Sequence, residues 1–196
     1  MKKLMFVMLC VGLGLVLCGT ARAEMLVDPG FEGGSFSGDI PPAWTAVPAF
    51  PGATVGAETW AAMTGTYGMA AYWWSNGGTG SFYQDVAITG GNYDFSIYAQ
   101  RDPGNQTGTA TMKIEWYQGA TLLGTTSQDV SALIVPGFTQ LTLIGASATG
   151  ADMARVGFDF TRITQAMMFD DASLVPEPAT MALLGLGSLF LARRRK

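Results

Sequence analysis

Through the middle of the chain, apolar and polar residues alternate with a period of two. Over residues 93–100, Tyr93, Phe95, Ile97 and Ala99 fall on one side, and Asp94, Ser96, Tyr98 and Gln100 on the other. Met112, Ile114 and Trp116 keep the same spacing within residues 109–117. Successive side chains of a strand point to opposite faces, so each run predicts a half-buried β-strand. Runs rich in aromatic and β-branched residues predict further strands at 80–88, 121–128, 138–146, 155–161 and 166–175. Turn-forming clusters separate them: Thr89-Gly90-Gly91-Asn92, Asp102-Pro103-Gly104-Asn105 and Gln118-Gly119-Ala120. No long 3.6-residue pattern interrupts this span. The prediction is an all-β domain, an antiparallel sandwich.

The two ends break the alternation with continuous apolar runs. Lys2 and Lys3 precede an apolar run over 4–17, and Ala21-Arg22-Ala23 has the small-residue spacing of a leader cleavage site. Residues 1–23 therefore read as a secretory signal helix removed by signal peptidase, with Glu24 as the first mature residue. An uncleaved anchor is the alternative. At the other end, Pro176, Glu177 and Pro178 precede an apolar run over 179–192 and the basic stop Arg193, Arg194, Arg195 and Lys196. A helix over that run spans only ~21 Å at ~1.5 Å per residue, against a hydrocarbon core of ~30 Å. The basic end should stay cytoplasmic.

This tripartite tail resembles the PEP-CTERM sorting signal. The resemblance implies recognition by an exosortase, a membrane cysteine protease or transpeptidase acting near Pro-Glu-Pro. It also implies a transient inner-membrane tether, then delivery to the cell surface or extracellular matrix of a Gram-negative bacterium that makes exopolysaccharide. An ordinary C-terminal membrane anchor is the alternative. The organisation expected is 1–23 signal peptide, 24–175 β-sandwich, and 176–196 sorting signal with a short apolar helix.

Composition changes the picture in two ways. The chain has 196 residues and no histidine, which removes Ser-His-Asp and Cys-His nucleophile systems and histidine metal sites. Its only cysteines, Cys10 and Cys18, lie in the leader, so the mature domain has no disulfide. The formal charge of −4 also hides an asymmetry. Residues 24–175 hold the bases Arg101, Lys113, Arg155 and Arg162 against fourteen acids, a formal charge of −10. Such a domain repels nucleic acid and anionic surfaces and suits divalent cations, neutral sugars or cationic partners.

Four segments in order resemble the galactose-binding-like jelly roll of carbohydrate-binding modules. They are Leu26-Val27-Asp28-Pro29-Gly30-Phe31-Glu32, then Pro41-Pro42-Ala43-Trp44, then Phe82-Tyr83-Gln84-Asp85-Val86 with Gly91-Asn92-Tyr93-Asp94-Phe95-Ser96, and finally Phe169-Asp170-Asp171-Ala172-Ser173-Leu174. Asp28 departs from the Asn usual at its place. In that family the positions of Glu32 and Asp170 supply ligands to a structural Ca²⁺. Period two gives Asp170, Ala172 and Leu174 one face, which would draw the Asp170 carboxylate inward, where it must be paired or bound to a cation. Oxygen ligands favour a hard cation. In the alternative, Asp170 accepts backbone N–H bonds and Glu32 is solvated.

Aromatic rings offer the other candidate chemistry, because the apolar C–H faces of sugars stack on them. Of Trp44, Trp60, Trp73, Trp74 and Trp116, the spacing of Trp116 and the resemblance at Trp44 place those two in the core. Adjacent strand residues point to opposite faces, so one of Trp73 and Trp74 is expected to be exposed. Tyr98 and Gln100 lie on the polar side of their strand. These four residues form the candidate glycan contact, with packing under a loop as the alternative. No spacing identifies a catalytic pair, and Gly77-Gly78-Thr79-Gly80 lacks the Lys-Ser/Thr of a phosphate loop. The functional expectation is a non-catalytic exported protein associating with exopolysaccharide. The alternatives are a purely structural or adhesive matrix protein and a glycan-active enzyme.

Overall fold

The structure is a computed structural model and describes residues 23–36, 38–48, 53–73, 78–104 and 107–177. The signal helix and the apolar tail helix lie outside these residues. Ten strands follow in order: β1 (Thr45–Pro48), β2 (Ala53–Glu58), β3 (Gly68–Trp73), β4 (Gly78–Ala87), β5 (Asn92–Arg101), β6 (Thr109–Gln118), β7 (Thr121–Asp129), β8 (Thr139–Ala146), β9 (Met153–Ile163) and β10 (Met167–Pro176). A single 3₁₀ turn at Thr59–Ala61 is the one helical element among the described residues. The strands form two five-stranded sheets in the orders β1-β4-β9-β6-β7 and β2-β3-β10-β5-β8. Every pairing is antiparallel. Residues Glu24–Pro176 make one compact unit.

The alternation read from sequence is realised as the two inner faces. Strands β5 and β6 bury every second residue, Tyr93, Phe95, Ile97 and Ala99 on one and Ala110, Met112, Ile114 and Trp116 on the other. Phe82, Phe158 and Met112 form one row across the first sheet. Phe169 from the second sheet packs against Phe158 with ring centroids 4.7 Å apart. Phe82 and Phe158 stack at 5.5 Å. Burying a ring of this size stabilises a fold by roughly 1.5–3 kcal/mol, and no disulfide is needed.

Strands β1, β2 and β3 were not legible as strands. The sequence Gly68-Met69-Ala70-Ala71 shows no alternation because β3 is buried on both faces. A second small core explains this: Ala61, Ala70, Ala166 and Met168 pack together beneath the 3₁₀ turn, on the outer side of the second sheet. The opening segment 26–32 is not a regular strand either. It is held by side chains: Val27 N–H donates to Gln84 Oε1 and Gln84 Nε2 donates to Val27 O, both at 2.8 Å. Trp44 nonetheless enters the core as expected, and Phe31 lies buried beside it with ring centroids 4.7 Å apart.

One expectation is corrected here. Asp170, Ala172 and Leu174 do not share a face by simple period two. A bulge interrupts β10 between Asp170 and Ser173, and Asp171 adopts a positive φ of 48°. The extra residue shifts the parity, so Phe169, Ala172 and Leu174 all enter the main core. Asp170 is fully buried for another reason: it is capped by the loop that follows the 3₁₀ turn.

Candidate functional site

The first sheet has an outward face with unusual chemistry for its position. Because Phe82, Gln84 and Val86 of β4 point inward, Tyr83 and Asp85 point out. The same parity turns Arg155, Gly157 and Asp159 of β9 outward, with Lys113, Glu115 and Tyr117 of β6. Register places Asp85, Arg155 and Glu115 in one row and Tyr83, Gly157 and Lys113 in the next.

Arg155 is the centre. Its Nε donates to Asp85 Oδ1 at 2.7 Å and its Nη2 to Asp85 Oδ2 at 2.9 Å, a bidentate pair. The guanidinium carbon lies 4.0 Å from the Tyr83 ring centroid and 5.2 Å from that of Tyr117. The hydrogen bond to Asp85 holds the guanidinium proton more firmly than usual, against the opposing effect of burial. Lys113 Nζ sits 3.1 Å from Glu115 Oε1 and 2.8 Å from Asp159 Oδ2. Burial pulls the Lys113 pKa down, but Asp159 and then Glu115 outweigh it, and the net shift is upward. Tyr117 Oη donates to Glu115 Oε2 at 3.2 Å, and burial, then the Glu115 charge, raises its pKa.

Gly157 shapes this face. A Cβ there would stand 2.0 Å from the Phe82 carbonyl oxygen and 2.7 Å from Tyr83 Cα. A side chain at this position would also stand 2.9 Å from Tyr83 Cβ, so glycine keeps the space beside Tyr83 open. Around the cluster, β1 and β7 contribute Thr45 opposite Tyr83, Thr125 opposite Glu115 and Ser127 opposite Lys113. The result is a platform of two tyrosines and a guanidinium with short polar neighbours. Such a surface can stack an apolar ring face and offer both donors and acceptors at its edge.

These residues were missed from sequence as a group. Arg155 and Lys113 stood out only as rare bases. The signal was present in the outward complement of each buried strand set, but it becomes a cluster only when β4, β9 and β6 are known to be neighbours.

The residues singled out from sequence lie elsewhere. Tyr98 and Gln100 are half-buried on β5 in the second sheet, and Gln100 Nε2 approaches Met168 Sδ at 3.3 Å. Trp73 ends β3 in that same sheet, opposite Ala53, and Trp74 lies outside the described residues. Gln100 shares its row with Ala70, three residues from Trp73, and β10 runs between them. Trp60, on the 3₁₀ turn of this side, is exposed and rests edge-on against Tyr72 at 5.5 Å.

Glu32 and Asp170 are brought to one loop. Asp170 Oδ2 accepts N–H bonds from Met63 at 2.7 Å and Thr64 at 2.9 Å, and its Oδ1 accepts from Asp171 at 2.7 Å. Glu32 Oε1 accepts from Thr66 at 2.8 Å and Tyr67 at 3.0 Å. Thr64 Oγ1 also donates to Asp171 Oδ1 at 2.9 Å. Gly65 at the loop tip has φ +65°, a conformation that favours glycine, and a Cβ there would stand 2.1 Å from Glu32 Oε1 and push that carboxylate aside. Burial raises the Asp170 pKa more than its three N–H bonds lower it. Calcium takes six to eight oxygen ligands. Here the carboxylates meet the positive ends of backbone amides, and among the described residues no group of three or more acidic, His or Cys side chains is arranged to hold an ion. As arranged, the two carboxylates clamp the 63–67 loop through its backbone amides.

Of the sorting residues, Pro176 ends β10 opposite Tyr93, and Glu177 follows it. Pro178, Arg193, Arg194 and Arg195 lie outside the described residues. Among the described residues no helix is long and apolar enough to cross a membrane.

Comparison with known proteins identifies the tail and the fold. Residues 174–196 match the PEP-CTERM protein-sorting motif. No curated protein matches the chain. Among solved structures, the enzymatically active domain of bacteriophage CBA120 tailspike protein 4 superposes with a TM-score of 0.61 at 15% identity, over 78% of this chain and 21% of that one. The chain thus spans about a fifth of that protein. The module TmCBM61, solved with β-1,4-galactotriose, matches at 0.53 and 15% identity over 79% of this chain and 99% of its own. The CBM22-1 xylan-binding domain of Paenibacillus barcinonensis Xyn10C matches at 0.53 and 15% identity over 80% and 97%. The domain has the jelly-roll β-sandwich fold that these carbohydrate-binding modules also have, and the residues after it match the sorting motif.

Proposed function

We propose that the exported domain is a non-catalytic module that associates with extracellular polysaccharide through the outward face of the first sheet. The observation that carries this reading is the Tyr83–Arg155–Tyr117 platform, flanked by Asp85, Glu115, Lys113 and Asp159. Carbohydrate-binding modules among the structural neighbours support it at the level of fold alone. Both bases on the face are ion-paired and the domain is strongly acidic, which favours a neutral glycan over an anionic one. Each carboxylate there is held by a cation, an arrangement suited to fixing donors and acceptors and not to proton transfer. In this reading signal peptidase and exosortase process the ends, and the product resides at the surface or in the matrix of a Gram-negative cell.

Affinity electrophoresis of the mature chain through gels containing neutral polysaccharides tests the proposal. Retardation should appear with at least one glycan and vanish in the Tyr83→Ala/Tyr117→Ala variant, while Tyr98→Ala migrates as wild type. No retardation across a broad panel would favour the purely structural matrix role. Turnover of a glycan, lost on substituting one carboxylate, would establish an enzyme.

A further inference from the structure

The first residue after the predicted leader cut and the last strand before the sorting tail are locked to each other. Glu24 Oε1 accepts the N–H of Leu174 at 3.0 Å, together with those of Met25 at 2.9 Å and Leu26 at 2.8 Å. Met25 N–H donates to Leu174 O at 3.1 Å, and Ala172 N–H to Pro29 O at 2.9 Å. On its other side the same stretch of β10 pairs with β5, from Ser173 opposite Ser96 to Pro176 opposite Tyr93. Leu174 and Val175 are buried, whereas Pro176 is exposed and has no N–H to give. Both backbone edges of β10 are thus occupied up to Val175.

A protease binds its substrate as an extended chain with free backbone edges. β10 is extended but has neither edge free, and freeing it would strip the second sheet of its middle strand. We infer that the folded domain itself sets the inner limit of exosortase processing: scission falls at the Pro176–Glu177 bond or beyond, and Glu24 is the latch that enforces this. In that step a peptide C–N bond breaks. The acyl carbon passes to the enzyme's thiolate and then to water or an amine acceptor, and the tail leaves with the nitrogen, which takes up a proton as a new amino terminus. The domain is released with β10 whole.

The test is intact-mass and C-terminal peptide analysis of the full chain expressed in an exosortase-bearing host. The product should end at Pro176 or a later residue. An end anywhere within residues 170–175 would overturn the inference, whereas a full-length tail left uncut would overturn the exosortase processing on which it rests. The latch is tested separately with Glu24→Ala, which should speed hydrogen exchange at the Leu174 amide at least about tenfold and yield ragged ends within 172–175. Glu24→Gln keeps an acceptor oxygen and should restore the wild-type end. If Glu24→Ala fails to fold, the exchange rate at Leu174 in Glu24→Gln decides: protection close to wild type supports the latch, and protection lost despite native secondary structure refutes it.

Discussion

Replacing Asp170 by alanine should separate the 63–67 loop from the last strand. The substitution removes the acceptor of three backbone N–H groups, those of Met63, Thr64 and Asp171, at a site with no exposed surface. Hydrogen bonds to an ionised acceptor contribute about 1.5–3 kcal/mol each, and a donor left unpaired away from water costs about 1–3 kcal/mol. Two effects reduce the sum. Burying the charge is itself unfavourable, as the raised Asp170 pKa records, and Met63 and Thr64 are exposed enough for water to take over part of the role. A net loss of about 3 kcal/mol follows, or about 6–12 °C in Tm for a domain of this size. Circular dichroism melting of the mature chain measures it. The pH dependence gives a second reading. A folded pKa above the ordinary 3.8 means that Asp170 contributes most below that value and loses stabilisation as pH rises through its folded value. The advantage of wild type over Asp170→Asn should therefore grow as pH is lowered from neutrality toward 3.8. Unchanged melting of Asp170→Ala, or an advantage that shrinks on acidification, would refute the reasoning.

Three other outcomes are expected. Gly157→Ala should lower stability by about 1–3 kcal/mol, because the new methyl meets the β4 backbone, which cannot rotate away; urea unfolding at constant m-value measures it. Phe158→Ala should cost about 3–5 kcal/mol, since its ring touches those of Phe82, Phe160 and Phe169 at the centre of the sandwich; the mature chain would then unfold at markedly lower urea. Millimolar calcium, or its removal by chelator, should leave the melting temperature of the mature chain unmoved; a rise of several degrees with calcium would show that Glu32 and Asp170 exchange their amide partners for the ion.

The strands that face solvent on one side and core on the other were legible, because burial on one face writes a period-two pattern. The positions of β5 and β6 follow directly from Tyr93 to Ala99 and from Met112 to Trp116. Strand β3 was hidden because the 3₁₀ turn covers its outer side with a second core, erasing the polar half of the pattern. Asp170 was correctly expected to be buried and in need of partners, but for a parity that its own bulge cancels. The tyrosine–arginine platform escaped because it is assembled by register between strands as distant in sequence as β4 and β9, and no local spacing reports register. The tail, by contrast, is a linear signal, and its sorting motif was readable.

The order of strands has a kinetic consequence. The two strands that come last in the chain, β9 and β10, are the middle strands of their respective sheets. Without them the remainder is four separate pairs: β1 with β4, β6 with β7, β2 with β3 and β5 with β8. None of these can bury a core alone, and a lone two-stranded ribbon is marginal in water. Contacts so distant in sequence also make closure slow, on the order of milliseconds to seconds. A nascent chain lacking its final two strands therefore has no native core to close around, and folding waits until β9 and β10 are both made.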